Sequence, residues 1–223
     1  MNDDDVVRFL LENPVFFEAH PELLTQLRFP NPHGGQAIAL SDRQVQALRE
    51  ENKALRAKLQ ELVQFGEEND AITTKMHKLI LGVLSAATAP ELLATLHAGL
   101  REGMLVPHTA LRIWGGRPYS GEGADREEFS VVSGELKEYA AGLPRPFCGP
   151  SGRPEAAEVA TWFGEAVSHV RSVAHMPVRD ADGTCIGMLA LGSEDVLRFY
   201  PDMGVLYLQR LGELTGAALR RFV

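Results

Sequence analysis

With only two cysteines in 223 residues, Cys148 and Cys185, the chain has no disulfide framework and is expected to fold around a hydrophobic core in a reducing compartment. No run of 18 apolar residues occurs, and no basic stretch leads into an apolar one near the start. Neither a membrane span nor export is therefore expected, and the cytoplasm is the default. Positive charge is also scarce. The chain has 22 Lys and Arg against 30 Asp and Glu, a formal net charge of −8. That balance disfavours nucleic acid as a direct partner. There is no CxxC. The histidines, His20, His33, His77, His97, His108, His169 and His175, include no pair at i, i+4, so no metal site is expected.

At 45% hydrophobic residues the chain is rich enough for one full core and an extension. Three parts are expected. Residues 1–40 read as short helices and a loop, 41–68 as a coiled-coil or linker helix, and 69–223 as an α+β domain. In the first part, "DDDVVRFLLEN" places acids where a helix dipole favours them. Pro14 and Pro21 suit the first turns of two further short helices, over "VFFEAH" and "ELLTQL". Only Arg8 and Arg28 are basic there, too few for a DNA-reading module, so a cap or partner-docking element fits better. "FPNPHGGQAIAL" reads as loop.

"SDRQ" fits a capping box, with Ser41 as cap and Gln44 reaching back. Heptads counted from Val45 put Val45, Asn52 and Leu59 at a positions, and Leu48, Leu55 and Leu62 at d. Leucine at d with one asparagine at a suits a parallel two-stranded coiled coil. Glu51 and Arg56, at g and the following e, are placed to pair between chains. The alternative is an amphipathic helix lying on its own domain. Gly66, at the next a position, weakens the seam.

Beyond residue 69, Ile72, Met76, Leu79, Ile80, Val83 and Leu84 share one helix face. "TAPE" starts another helix capped by Thr88 and ending at Gly103. "HTALRIW" predicts a strand, "EEFSVVS" a weaker one, "GELKEYAAG" a helix, "LPRPFCGPSGRP" a loop and "EAAEVATWF" a short helix. "RSVAHMPVRD" and "TCIGMLALG" flank Asp182-Gly183 as a hairpin whose strands are apolar on both faces, hence central and covered on each side. A last helix is expected from Pro201. The strand–glycine–helix passage near residue 192 is not a phosphate cradle, because Glu194 and Asp195 stand where an anion would sit.

"RSVAHMPVRDADGTCIGMLALGS", a phenylalanine-containing loop and a closing helix together resemble the end of a GAF domain, a small-molecule sensory fold. "VVRFLLENPVFFEAHPELLTQL" and "LALGSEDVLRFYPDMGVLYLQRLGEL" resemble domain-of-unknown-function family 484, and the likeness covers nearly the whole chain. The resemblance implies a GAF-like antiparallel sheet flanked by helices, preceded by an N-terminal helical segment. One GAF-like class reduces methionine sulfoxide with three cysteines; this chain has two. The cyclic-nucleotide class carries an Asn-Lys pair absent before this hairpin, and a bilin would need Cys148 in the pocket.

A pocket, if present, is expected between the sheet and residues 143–163. Phe147, Cys148, Trp162 and Phe163 would form its walls, Arg145 and Arg153 its anion contacts, and His175 a group on the adjoining strand. Each aromatic has a plain alternative as core packing. The expected function is a non-enzymatic, homodimeric, cytoplasmic regulator that binds an unknown small molecule and signals to an unknown protein partner. The alternatives are a ligand-free adaptor and a thiol-dependent reductase. The cofactor is unknown.

Overall fold

The computed structural model describes residues 2–21, 23, 28–29, 38–115 and 123–222. It divides into two compact units, Met1–Glu68 and Asn69–Val223.

In the first unit, helix α1 spans Asp3–Glu12 and α2 spans Phe16–Ala19. Asn2 caps α1, and the Asp5 carboxylate accepts the Asn2 N–H at 2.9 Å, closing a capping box. Phe9 and Phe16 meet edge to face, with centroids 5.7 Å apart. The helix expected over "ELLTQL" lies largely outside the described residues. The segment read as loop, residues 29–40, instead carries at its two ends a two-residue antiparallel ladder, β1 Arg28–Phe29 with β2 Ile38–Ala39. Backbone pairing across a Pro/Gly-rich segment is invisible to composition.

Helix α3 spans Leu40–Ser85 without interruption. It begins at Leu40, one residue before Ser41, and the expected Ser41 cap rests on a side chain outside those described. Exposed same-helix pairs line its flank: Gln46 to Glu50 at 3.3 Å, Lys58 to Glu61 at 2.7 Å and Gln64 to Glu68 at 2.8 Å. Pairs of this kind are each worth a few tenths of a kcal/mol. The large side chains of the heptad seam are all exposed, from Val45 at 44% to Leu48 at 64%.

In the second unit the same helix changes role. Met76, Leu79 and Val83 are buried in the main core. Helix α4, Ala89–Ala98, follows; Thr88 caps it through the Glu91 N–H at 3.3 Å, while the Glu91 carboxylate takes the Ala87 N–H at 2.8 Å. It passes into a π-helical turn, Gly99–Gly103. The sheet has the order β3 (His108–Ile113), β6 (Cys185–Ser193), β5 (Ser172–Arg179), β4 (Phe147–Pro150), antiparallel throughout. Helices α5 (Gly134–Gly142) and α6 (Ala157–Thr161) cover one face, and α7 (Leu206–Leu219) packs on the other with α3 and α4.

The hairpin forms as its sequence requires. Gly183 has φ +82°, and the Asp180 carboxylate accepts the Asp182 and Thr184 N–H groups at 3.0 Å. Both strands are covered on both faces: Leu189 and Leu191 lie in the main core, Met188 and Ala190 in the smaller one. Arginines tie helix ends to neighbouring segments through carbonyl oxygens. Arg179 donates to Ala141 and Leu143 at the end of α5 and to Gly183 in the hairpin turn, each at 3.0 Å. Arg221 donates to Leu84 and Ala86 around the end of α3.

Three local expectations are corrected. "EEFSVVS" forms no strand; Glu127–Phe129 is a 3-10 turn, because Glu128 turns inward to Arg126 and His97. The loop read over residues 143–154 contains β4, an edge strand, where Pro150 is tolerated at the end of the ladder. The last helix starts at Leu206, not at Pro201, with turns between.

Candidate functional site

The residues expected to form one pocket are split into four environments. Cys148 pairs with Ala174 across β4 and β5 and belongs to the main core, on the face away from α5 and α6. Burial pushes its thiol up to about 11. That is the opposite of what an attacking thiolate needs, so the reductase reading gains nothing from it. Burial likewise raises the Cys185 thiol.

Phe147, Arg153, Phe163 and His175 do lie together on the other face. The Arg153 guanidinium stands 4.4 Å from the Phe147 ring centroid, and Phe147 lies 5.6 Å from the His175 ring. The space lined by Arg153, Phe163 and His175 is only about 20 Å³, room for about one water. Residue alternation alone could not reveal this: Ala156, Ala160 and Val170 also line that space.

His175 is buried and shares a hydrogen bond of 3.0 Å with the Tyr139 hydroxyl through Nδ1. Burial, and secondarily the Arg153 charge, lower its pKa to about 4. The unfolded chain binds that proton near pH 6.5, so the contribution to stability is complete above that pH and lost as pH falls toward 4. Going from pH 7 to pH 5 is expected to cost about 2 kcal/mol through this group. Urea unfolding at the two pH values, compared with His175→Gln, measures it. An equal pH dependence in both chains would remove His175 as the cause.

Arg145 is exposed and lines a separate groove of about 340 Å³ beside Pro177 and the α7 residues Leu208 and Gly212. Trp162 lines a third space, a cleft of about 470 Å³ along β3, and this one has the chemistry of a site. Strand β3 supplies Thr109 and Arg112; α4 supplies His97; the π-helical turn supplies Arg101; and the 3-10 turn with its preceding residue supplies Arg126, Glu127 and Glu128.

A hydrogen-bonded relay crosses the cleft. Thr109 Oγ1 lies 2.8 Å from His97 Nδ1, and His97 Nε2 lies 3.3 Å from Glu128 Oε1. The Arg126 guanidinium holds both Glu128 oxygens, at 3.1 and 2.8 Å. Burial alone would raise the Glu128 carboxyl, but hydrogen bonds from His97 and Arg126 overcome it and hold the group at about 2. The relay has the order of a hydroxyl–imidazole–carboxylate triad. Its carboxylate is already neutralised by Arg126, however, which leaves little charge to stabilise an imidazolium. The arrangement fits a fixed wall better than a general base.

Arg112 lies on the same wall, its guanidinium 5.1 Å from the Trp162 ring centroid and 3.2 Å from Glu127. His97, Thr109, Arg112, Arg126 and Glu128 were not singled out from the sequence. The available signal was Arg112, a charged residue in the otherwise apolar "TALRIW", with the compact "DREE" following.

The family model described as "Protein of unknown function, DUF484" matches residues 1–223. The chain belongs to the DUF484 family. The membership expected from its two terminal segments is thus borne out. No curated protein matches this DUF484 chain. Among solved structures it is similar to the A. Aeolicus nlh2 GAF domain in an inactive state, at 14% identity and a TM-score of 0.46, covering 69% of this chain and 96% of that one. It is also similar to the GAF domain of a protein described as a sensor histidine kinase from Pseudomonas syringae pv. tomato. There the identity is 17% and the TM-score 0.45, covering 71% of this chain and 91% of that one. The α+β class with an antiparallel sheet between helices is as expected. Among the described residues no helix is long and apolar enough to cross a membrane.

Proposed function

We propose that this DUF484 protein is a homodimeric regulator in which a small molecule held in the β3 cleft biases the helices leading to the α3 seam. The observation that carries the reading is the unburied seam itself. Leu48, Leu55, Leu59 and Leu62 are 56–64% exposed, and with Val45 they fill every a and d position from Val45 to Leu62 except that of Asn52. A helix wet on all sides would gain nothing from that spacing, whereas a second copy with the same strip buries it. Asn52 at a favours two parallel strands in register.

The route from cleft to seam is supported by close packing. A methyl group at Gly82 of α3 would come within 2.9 Å of Thr95 on α4, and Leu79 of α3 lies directly against Gly99. His97, between these contacts in sequence, is hydrogen-bonded in the cleft. Ligand control requires two arrangements of these helices that differ in ligand affinity. Exposed Val7, Phe9 and Leu11 of α1 support a protein partner there.

A metabolite panel screened by thermal unfolding tests the reading, with each hit re-examined for its effect on the dimer dissociation constant. A ligand at ~100 times its dissociation constant adds about 2.7 kcal/mol, a rise of roughly 5–10 °C for a unit of this size. A hit that also shifts dimerisation supports the regulator. A flat panel favours the adaptor, whose surfaces bind protein alone.

A further inference from the structure

We propose that the β3 cleft takes a small monocarboxylate, and that Glu127 occupies Arg112 as a tethered stand-in when that ligand is absent. This rests on the reading of the cleft as the effector site. The cleft contains two arginine–glutamate pairs of different quality. In the first, Arg126 grips Glu128 with two contacts, and the Glu128 side chain is 9% exposed. That pair is closed.

The second pair is unfinished. The Arg112 side chain is 12% exposed, yet its partner Glu127 is 81% exposed and makes one contact, at 3.2 Å. The guanidinium also donates to the Leu111 carbonyl at 3.0 Å and lies over Trp162. Its other N–H donors have no partner among the described residues. A guanidinium presents a planar fork that matches both oxygens of a carboxylate, and a largely desolvated one gains most from filling it. A free carboxylate entering the cleft can take two donors where Glu127, held by its own backbone, takes one.

Charge selects among anions. Arg126 is cancelled by Glu128, which leaves Arg101, Arg112 and Glu127 as the remaining arginine and glutamate charges lining the cleft. One excess positive charge suits a single negative charge. A phosphate dianion would bring one negative charge more than that excess, beside the Glu127 carboxylate, and is disfavoured against a monoanion. The volume, about 470 Å³, is that of a metabolite site.

The test is a titration of the intact protein with sodium propionate, followed through the indole N–H signal of Trp162 by heteronuclear NMR, with inorganic phosphate and chloride at matched ionic strength beside it. Propionate is expected to move that signal saturably, and phosphate and chloride not to. Removing the internal competitor with Glu127→Gln is expected to lower the apparent dissociation constant roughly tenfold, because the competent state is then no longer a minor one. Arg112→Gln is expected to abolish the movement. Glu127 stands in solvent, so its variant keeps the test decisive if the Arg112 variant does not fold. Equal propionate affinity in Glu127→Gln and the parent overturns the stand-in. Equal response to all three anions overturns the site. If no carboxylate binds but an uncharged or cationic hit from the thermal panel moves the Trp162 signal, the ligand class falls and the effector cleft stands. If propionate binds as described and dimerisation does not respond, the carboxylate site stands and the proposed signalling route falls.

Discussion

A chain carrying both Leu48→Glu and Leu55→Glu is expected to sediment as a monomer at concentrations where the parent is expected to be the proposed dimer. Both leucines occupy d positions and are more than 60% exposed in the isolated chain. Burying one leucine side chain is worth about 1.5–3 kcal/mol. Two positions on two chains therefore contribute on the order of 6 kcal/mol, a factor of about 10⁴ in the dissociation constant. Four introduced carboxylates facing one another at the seam add repulsion to that loss. Neither position reaches the core around Met76, Leu79 and Val83. Thermal unfolding of the second unit is therefore expected to stay within about 1 °C of the parent, the ordinary range for exposed substitutions. Sedimentation equilibrium measures the first effect and calorimetry the second. A double variant that remains dimeric removes the seam from the assembly. Loss of the folded unit together with the dimer would mean that the strip is needed within its own chain, which is the amphipathic-helix alternative.

What the sequence made legible was whatever rests on local chemistry. The Asp182-Gly183 turn, the Thr88 cap and the doubly apolar β5 and β6 are each specified by a few adjacent residues, and each is present where the pattern puts it. β4 was hidden because a four-residue edge strand between prolines and glycines is set by pairing with β5, not by its own propensity. The pocket residues failed as a group for a similar reason. Phe147 and Cys148 are neighbours in sequence, so on a strand they face opposite sides of the sheet; placing both in one wall required a loop that does not exist. The β3 cleft went unread because its parts come from residues 94–128 together with the distant Trp162 and meet only through tertiary packing. Glu128 looked like half of a polar "EE" at the start of a strand, and its burial beneath Arg126 is a property of the fold.

Gly216→Ala is expected to destabilise the second unit by about 3 kcal/mol or more, the upper end of what overpacking costs. Helix α7 carries Gly212 and Gly216 four residues apart, hence on one face, and that face lies against β5. A Cβ at Gly216 would run into the Arg179 carbonyl oxygen, and one at Gly212 would come within 3.0 Å of the Pro177 carbonyl. Neither obstacle is a side chain that can swing aside. Arg179 cannot retreat cheaply, since its guanidinium holds the end of α5 and the hairpin turn, and the strand already has a register irregularity between Val178 and Arg179. The opposing effect is helix propensity, which favours alanine over glycine by about 1 kcal/mol. The clash outweighs it at Gly216, while at Gly212 the two nearly balance. Calorimetry is expected to show the melting temperature of Gly216→Ala lowered by roughly 6–12 °C, and that of Gly212→Ala changed by no more than about 4 °C. If the two variants melt alike, or Gly216→Ala melts higher than the parent, α7 does not lie as close to β5 as this packing requires. The helix would then be free to shift against α3, which it touches through Tyr207 and Thr73 at 2.9 Å.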